Sequence, residues 1–217
     1  MKERPILFNT AMVKAILEGR KTQTRRVINE KTLKSLDLGN QLGECYELDH
    51  PKSKECGYIL SFCPHGQVGD RLWVRETFCM GRIEEDDNPF TWPKDLYVDN
   101  YEGEDAYPIY KEMVESEKIS SEDVCWTPSI HMPRSASRIL LEITKIRIER
   151  LNDISSDDAK AEGFDYSTHP SAIEIGYAIG AKTNFRFTWE QIYGQNAWNK
   201  NPWVWCITFK VIDGGAA

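Results

Sequence analysis

The apolar and polar positions near the start of the chain predict a strand, a helix and a turn, in that order. Residues 6–8 form a short apolar run of the kind found in buried strands. In the following segment, NTAMVKAILEG, the apolar residues recur at helical spacing: Met12, Val13, Ile16 and Leu17. Asn9 or Thr10 suits the N-cap of such a helix, and Gly19 suits a left-handed stop. The segment GRKTQTRRVI is then expected to leave the helix and become extended.

The second half of the chain predicts strands separated by short helices. In QVGDRLWVRETF, alternate positions fall on one strand face: Leu72, Val74, Glu76 and Phe78. Residues 137–151 predict a long strand, and residues 201–212 predict a last strand with four residues on one face: Trp203, Trp205, Ile207 and Phe209. Short helices are predicted over 153–164, between a Ser155 cap and a Gly163 stop, and over 187–194. The second helix is expected to turn three residues inward: Trp189, Ile192 and Tyr193.

With residues 29–60 polar and irregular, this order favours an α+β domain with a curved sheet or barrel. The charge is unevenly spread along it. The chain of 217 residues has a net charge of −7, but residues 81–123 hold fourteen Asp/Glu and four Lys/Arg. Residues 1–35 instead hold nine Lys/Arg and three Glu, a net charge of +6. We therefore interpret residues 80–128 as an acidic insertion that masks a basic N-terminal region.

The cysteines and the apolar runs argue for a cytoplasmic protein without a resident cofactor. The six cysteines are irregularly spaced, which disfavours a disulfide scaffold. A weak zinc candidate is the group Cys45, Cys56, Cys63 and His65, which lacks the paired C-x2-C spacing of structural zinc sites. No signal-peptide pattern and no apolar run of about twenty residues is present, so we expect neither a leader nor a membrane span.

The most distinctive stretch is GRKTQTRR, residues 19–26, with four basic residues and two threonines. Arg20 and Lys21 would be favoured at a helix C-terminus by the helix dipole, and the whole cluster would equally suit phosphate contacts. The stretch also matches the pattern G-x-K-x-x-T-x-R at Gly19, Lys21, Thr24 and Arg26. This pattern resembles the hallmark of the ASCH domain, and the wider chain resembles ASCH proteins often found in phages and prophages.

The resemblance extends over five ordered stretches: residues 5–28, 63–78, 129–155, 158–164 and 201–212. It implies a PUA-like β-barrel with short flanking helices, as one domain over residues 1–217 with the insertion inside it. It also implies RNA, DNA or a modified nucleoside as partner. One bacterial branch with a similar motif hydrolyses the amide of N4-acetylcytidine. Carried over from that branch, the catalytic residues would be Lys21, Thr24 and Glu142.

The chemistry of these three residues is consistent on its own terms. A threonine hydroxyl needs a base to become a nucleophile, and a lysine whose pKa is lowered by burial or by nearby arginines is such a base. A bend after the helix would bring Lys21 and Thr24 together. Glu142 lies among apolar neighbours, so we expect it in a cleft, paired with Lys21 or an arginine.

Other side chains suit ligand binding without chemistry. Arg20, Arg25 and Arg26 suit an anion, while Trp73, Arg75 and Glu76 suit a base that stacks and donates from an exocyclic amine. Arg134 belongs to the same set. Ordinary packing or an exposed strand face would explain each of these residues equally well.

Three functions therefore stay open. A nucleic-acid or modified-nucleotide binding module is slightly favoured over an N-acyl nucleoside amidohydrolase. The third is a protein whose acidic insertion imitates nucleic-acid phosphates and so occupies a host protein.

Overall fold

The computed structural model describes residues 1–85, 96–100, 102–119, 124–164 and 180–214, in two compact units. The first unit comprises residues 1–4, 15–72 and 141–212, and the second comprises residues 5–14, 73–140 and 213–217. The strands are β1 Glu3–Leu7, β2 Gln23–Val27, β3 Arg71–Arg75, β4 Phe78–Glu85, β5 Leu96–Asn100, β6 Tyr107–Tyr110, β7 Ile139–Arg150 and β8 Trp203–Gly214. The helices are α1 Thr10–Leu17, α2 Glu30–Gln41, α3 Gly57–Ser61, α4 Lys111–Glu117, α5 Ser156–Ala161 and α6 Ala181–Tyr193.

Five strands form a mixed sheet in the order β1-β3-β7-β8-β2, which confirms the α+β class. β2 and β8 are antiparallel, with Thr24 opposite Ile207 and Arg26 opposite Trp205. The resemblance implies a closed barrel, which would require pairing between the edge strands β1 and β2. Among the described strands no such pairing is present. The predicted last strand is confirmed as β8, and the four residues expected on one of its faces are buried: Trp203, Trp205, Ile207 and Phe209. Val204 and Cys206 on the opposite face are buried as well.

The N-terminal elements form for the predicted reasons. Asn9 Oδ1 accepts a hydrogen bond of 2.9 Å from the Met12 amide, as an N-cap side chain does. Val13 and Ile16 are buried, and Gly19 ends the turn with φ of +73°. Ser155 caps α5 in the same way, through a 3.0 Å bond from the Asp158 amide. These predictions are confirmed.

The sequence predicted that residues 29–60 are irregular, and this prediction is wrong, because the segment contains the helices α2 and α3. α2 begins after Asn29, whose side chain accepts from the Thr32 amide, and it buries Leu36. The lysines and other polar residues of this helix face outward. They outnumber its few apolar residues, so the sequence showed no clear helical spacing. α6 likewise starts six residues before the predicted helix, and only Trp189 of the three expected inward residues is buried. Ile192 and Tyr193 are 50% and 42% exposed.

The second unit contains a three-stranded sheet in the order β5-β4-β6, built from the acidic segment predicted as an insertion. Cys79, Val98, Ile109 and Val114 form its small apolar core. Residues 86–95, 101 and 120–123 of that segment lie outside the described residues. That residues 80–128 are an insertion in a single domain stays a prediction. No described helix has the length and apolar character that crossing a membrane requires.

Candidate functional site

The motif residue Lys21 is fixed where three segments meet. Its amide donates to the Ala15 carbonyl at the end of α1 (2.8 Å), and its backbone forms an isolated bridge with Glu162. Gly163 has φ of +95°, and a Cβ there would lie 2.9 Å from the Ala15 Cβ and 3.2 Å from the Lys21 Cβ. Only glycine therefore lets the turn after α5 approach Lys21 this closely.

The Lys21 ammonium is buried and donates to three acceptors. These are the Glu162 carboxylate (2.7 Å), the Glu162 carbonyl (3.0 Å) and the Gln23 carbonyl (2.9 Å). Burial lowers the pKa of Lys21, against the pull of Glu162, and the neighbouring arginines lower it further. The acceptors around the nitrogen suit the charged ammonium, whereas burial favours the neutral amine.

Arg25, which the sequence suggested for an anionic ligand, is instead enclosed. Its Nε donates to Glu149 at 2.7 Å, and its Nη1 donates to Gln23 Oε1 at 2.7 Å and to Glu162 at 3.0 Å. Asp158 lies 3.3 Å from its Nη2, and the side chain has no exposed area. Carboxylates of the protein thus already surround this guanidinium, and its expected role as a ligand contact stays a prediction.

Arg147 closes the network around Arg25. It donates to the second oxygen of Glu149 (3.0 Å) and to the second oxygen of Asp158 (2.9 Å). The network thus contains three cations and three carboxylates: Lys21, Arg25, Arg147, Glu149, Asp158 and Glu162. Equal numbers of opposite charges make burial tolerable, because each ion finds a partner in place of water.

Thr24 lies on the other face of β2. The side chains of Gln23 and Arg25 converge on the Glu162 side, and successive side chains of a strand point to opposite faces. The buried Thr24 side chain therefore points away from the ammonium of Lys21. The bend that would have joined the two is absent because the chain is already extended here.

Glu142 does not meet Lys21 or an arginine, contrary to the expectation. Its carboxylate forms an ion pair of 3.2 Å with Lys210 on β8, and its side chain is 28% exposed. The carboxylate that Lys21 meets is Glu162. The three residues expected to act together are therefore held in separate surroundings.

A second group of basic side chains lies elsewhere in the first unit. Arg4 on β1 and Arg26 on β2 are half-buried, and both lower the pKa of His65, which burial and these two charges bring to about 4. His65 is therefore neutral at pH 7 although it lies beside two cations. Arg20, also expected to bind a ligand, is exposed and bonds to Glu18 and to the Gly163 carbonyl (2.7 Å).

The second unit has its own buried charges around Glu76. Arg138 donates to both Glu76 oxygens, at 3.0 and 2.9 Å, and to Glu112 at 3.1 Å. The Arg138 guanidinium also lies 4.1 Å from the ring centre of Tyr110. Burial raises the pKa of Glu76 despite the pull of Arg138, and Glu112 adds to the rise. Glu76 is 1% exposed, and its expected contact with a base stays a prediction.

The remaining predicted contacts stay near the surface. Trp73 and Arg75 are half-buried, with the Arg75 guanidinium 5.3 Å from the Trp73 ring centre. Arg75 also donates to the Met132 carbonyl at 3.0 Å. Arg134 is exposed on a short 3-10 turn, residues 134–136. The Arg75 guanidinium thus covers part of the Trp73 ring.

The weak zinc candidate does not form. Within the described residues, which include Cys45, Cys56, Cys63 and His65, no three His, Cys, Asp or Glu side chains are placed to hold a metal ion. The cysteines of this group are free thiols.

Sequence reasoning missed the residues that form the network around Lys21 and Arg25: Arg147, Glu149, Asp158 and Glu162. In KIRIERL, Arg147 and Glu149 alternate with the buried Ile146 and Ile148. This alternation is also the ordinary pattern of a strand with one exposed face, so it did not reveal that these two charges are paired. Nothing local pointed to Glu162, which follows a short helix.

Comparisons with known proteins give little beyond this geometry. No family model and no curated protein matches the chain. A solved structure, the ASCH domain from Lactobacillus crispatus JV V101, matches with a TM-score of 0.36 and 12% identity, over 98% of this chain and 80% of that one. A likeness this distant assigns neither a fold nor an activity.

Proposed function

We propose that the protein binds nucleic acid or a modified nucleotide through a PUA-like module of ASCH type, and that it is not a hydrolase. The motif GRKTQTRR and the ordered stretches around it resemble ASCH domains, whose fold is associated with RNA binding. The observation that carries the choice between binding and hydrolysis is that Lys21 pairs with Glu162, whereas Glu142 pairs with Lys210.

Hydrolysis by the residues of the amidohydrolase branch needs Lys21 to take a proton from Thr24. The Lys21 ammonium already donates to Gln23 and Glu162 and is buried. Thr24 lies on the other face of β2, and Glu142 is paired with Lys210. A base, a nucleophile and an acid in three separate surroundings do not support acyl transfer.

Binding is supported by the distribution of charge. Nine Lys/Arg and three Glu in residues 1–35 give that region a net charge of +6. The ion-pair network neutralises Lys21 and Arg25. Arg4 and Arg26 are partly exposed basic residues of the same N-terminal region, and we propose that they contribute to the positive charge that a phosphate backbone would meet.

The test is fluorescence anisotropy with a labelled single-stranded RNA and a DNA of the same sequence, at two salt concentrations. We expect binding that weakens with salt, because phosphate contacts release counterions with a slope of about −0.7 per contact on single strands. Arg26→Gln should weaken binding and lower that slope. Lys145→Gln, which removes an equal charge from an exposed pair with Glu55, should do neither.

A deacylation assay on N4-acetylcytidine completes the test. We expect no turnover by the wild-type protein. Turnover that disappears in Thr24→Ala would refute the proposal in favour of the amidohydrolase. Equal affinity of the wild-type and Arg26→Gln proteins at both salt concentrations would refute the proposed contact between Arg26 and the phosphate backbone.

A further inference from the structure

A cavity of about 280 Å³ lies in the first unit, between α2, the loop that follows this helix and the start of β8. Its apolar lining consists of Leu33 and Leu36 from α2 and Trp203 from β8. Leu36 and Trp203 are buried, so they form the floor of the cavity. A floor made of aliphatic side chains and an indole ring favours an apolar part of a ligand.

Three exposed carboxylates surround the mouth of this cavity: Asp37, Glu47 and Asp49. Asp49 pairs with Arg150 at 3.5 Å, and Asp37 accepts a hydrogen bond of 2.9 Å from the neutral side chain of Gln41. Neither Asp37 nor Glu47 forms an ion pair with another described residue. The carboxylates at the mouth therefore outnumber their cationic partners, and this excess of negative charge attracts a cation.

The spacing of these carboxylates favours an extended organic cation over a metal ion. Within the described ranges of the chain, no three His, Cys, Asp or Glu side chains are placed to hold one metal ion. An organic cation with several N–H groups can contact carboxylates that lie apart. Arg150 already shows how such a group lies here, because its guanidinium pairs with Asp49 and lies 4.3 Å from the ring centre of Trp203.

The loop that carries Glu47 and Asp49 is held in place by its own contacts. The buried Ser53 hydroxyl donates to the Glu47 carbonyl at 2.6 Å, and the His50 amide donates to the same carbonyl at 2.9 Å. The rings of Tyr46 and His50 stack with their centres 4.4 Å apart. A loop that is already ordered loses little conformational entropy when a ligand binds.

We propose that this cavity binds an organic cation, a guanidinium or ammonium group on a short aliphatic stem. The stem packs on Leu36 and Trp203, and the charged group meets Asp37 and Glu47. The inference goes beyond the proposed nucleic-acid binding and does not depend on it, because carboxylates that attract a cation repel a phosphate.

The first experiment titrates butylguanidinium into the protein and measures binding by calorimetry. Butylurea, a neutral molecule of nearly the same shape, is the control ligand. We expect butylurea to bind at least about tenfold more weakly, because charge-assisted hydrogen bonds are about twice as strong as neutral ones. Equal binding of the two molecules, or no binding of butylguanidinium, would overturn the site.

Two variants test which carboxylates are used. Glu47→Gln and Asp37→Asn should each lower the affinity for butylguanidinium about fivefold, as the loss of one exposed charge pair does. Glu44→Gln is the matched control, because Glu44 is exposed in the same loop but does not line the cavity. Equal affinities of Glu44→Gln and Glu47→Gln would contradict the site.

A third variant should have the opposite effect. The Lys52 ammonium lies 5.6 Å from the ring centre of Tyr46, which also lines the cavity, so it opposes a second cation there. Lys52→Gln should therefore bind butylguanidinium more tightly than the wild type. A merely structural role for the carboxylates would give no such gain, and weaker binding by Lys52→Gln would contradict the proposed electrostatics.

A short peptide with one arginine, compared with the same peptide containing citrulline, identifies the source of the cation. Binding of the arginine peptide more tightly than butylguanidinium, weakened in Glu47→Gln, supports a basic side chain of a protein partner. Binding of butylguanidinium without binding of either peptide supports a free small molecule. RNA binding that is unchanged in Glu47→Gln supports a cation site separate from the nucleic-acid surface.

Discussion

Single residues of the motif differ in what their surroundings allow. Lys21 and Arg25 are both buried, and both contact the Glu162 carboxylate, through Oε2 at 2.7 Å and Oε1 at 3.0 Å. One carboxylate thus pairs with two cations whose side chains are not exposed to water. Its charge keeps the N-terminal end of β2 against the turn that follows α5.

Removing that charge should destabilise the protein strongly. Glu162→Gln keeps the shape but leaves Lys21 and Arg25 with one negative charge fewer, and breaking a buried pair typically costs about 3–5 kcal/mol. We expect a loss of this size in the free energy of unfolding, measured with urea.

Glu18→Gln is the control, because the Arg20–Glu18 pair is about 40% exposed and such pairs contribute about 0–1 kcal/mol. Adding Lys21→Met to Glu162→Gln should recover part of the loss. Equal stability of Glu162→Gln and Glu18→Gln would contradict the structural role of Glu162.

At the scale of elements, the short helix α5 and its glycine stop determine where the motif lies. The Thr22 amide donates to the Ala161 carbonyl at 2.8 Å, and Gly163 follows at φ of +95°. The approach of backbone to backbone at this junction leaves no room for a side chain. The strand β2 is therefore positioned by a segment more than a hundred residues away in sequence.

Gly163→Ala should test that junction against a matched glycine. Both Gly163 and Gly19 have positive φ, so alanine costs about 1–2 kcal/mol of backbone strain at either. Only at Gly163 would the new Cβ also contact Ala15 and Lys21, at 2.9 and 3.2 Å, which adds an overpacking cost of about 1–3 kcal/mol. Urea unfolding should show Gly163→Ala as the less stable variant, and equal losses would contradict the tight packing.

Across the whole molecule, two buried groups make stability depend on pH in opposite directions. Burial lowers the pKa of His65 from 6.5 to about 4, so the unfolded chain binds the proton more readily between these values. Stability then rises as pH rises from about 4 to 6.5. Burial raises the pKa of Glu76 above 4.5, so the folded state holds that proton longer. Stability from this group is lost as pH rises above 4.5 through the raised pKa.

Variants should separate the two effects. In His65→Gln the rise in stability between pH 4.5 and pH 6.5 should shrink, because its source is gone. In Glu76→Gln the same rise should become steeper, since the opposing group no longer titrates. Urea midpoints at the two pH values measure both, with His131→Gln, an exposed histidine, as the control that should match the wild type. Slopes that change in the same direction in both variants would contradict these assignments.

Much of this protein follows from local sequence. The helix α1 with its Asn9 cap, the Ser155 cap of α5, the glycine stops and the long strand β7 are predictable because each depends on neighbouring residues only. The motif also singled out Lys21 and Thr24 as unusual positions, and both are buried.

The tertiary structure alone decided what these residues contact. Glu162 reaches Lys21 across 141 positions, and Glu149 reaches Arg25 across 124, and no local pattern specifies such partners. The alternation of side chains along β2 separates Thr24 from the Lys21 ammonium, a consequence of strand geometry that the spacing of the motif did not reveal. A buried charge needs a counter-charge wherever the fold can supply one, so its partner is set by which segments pack together.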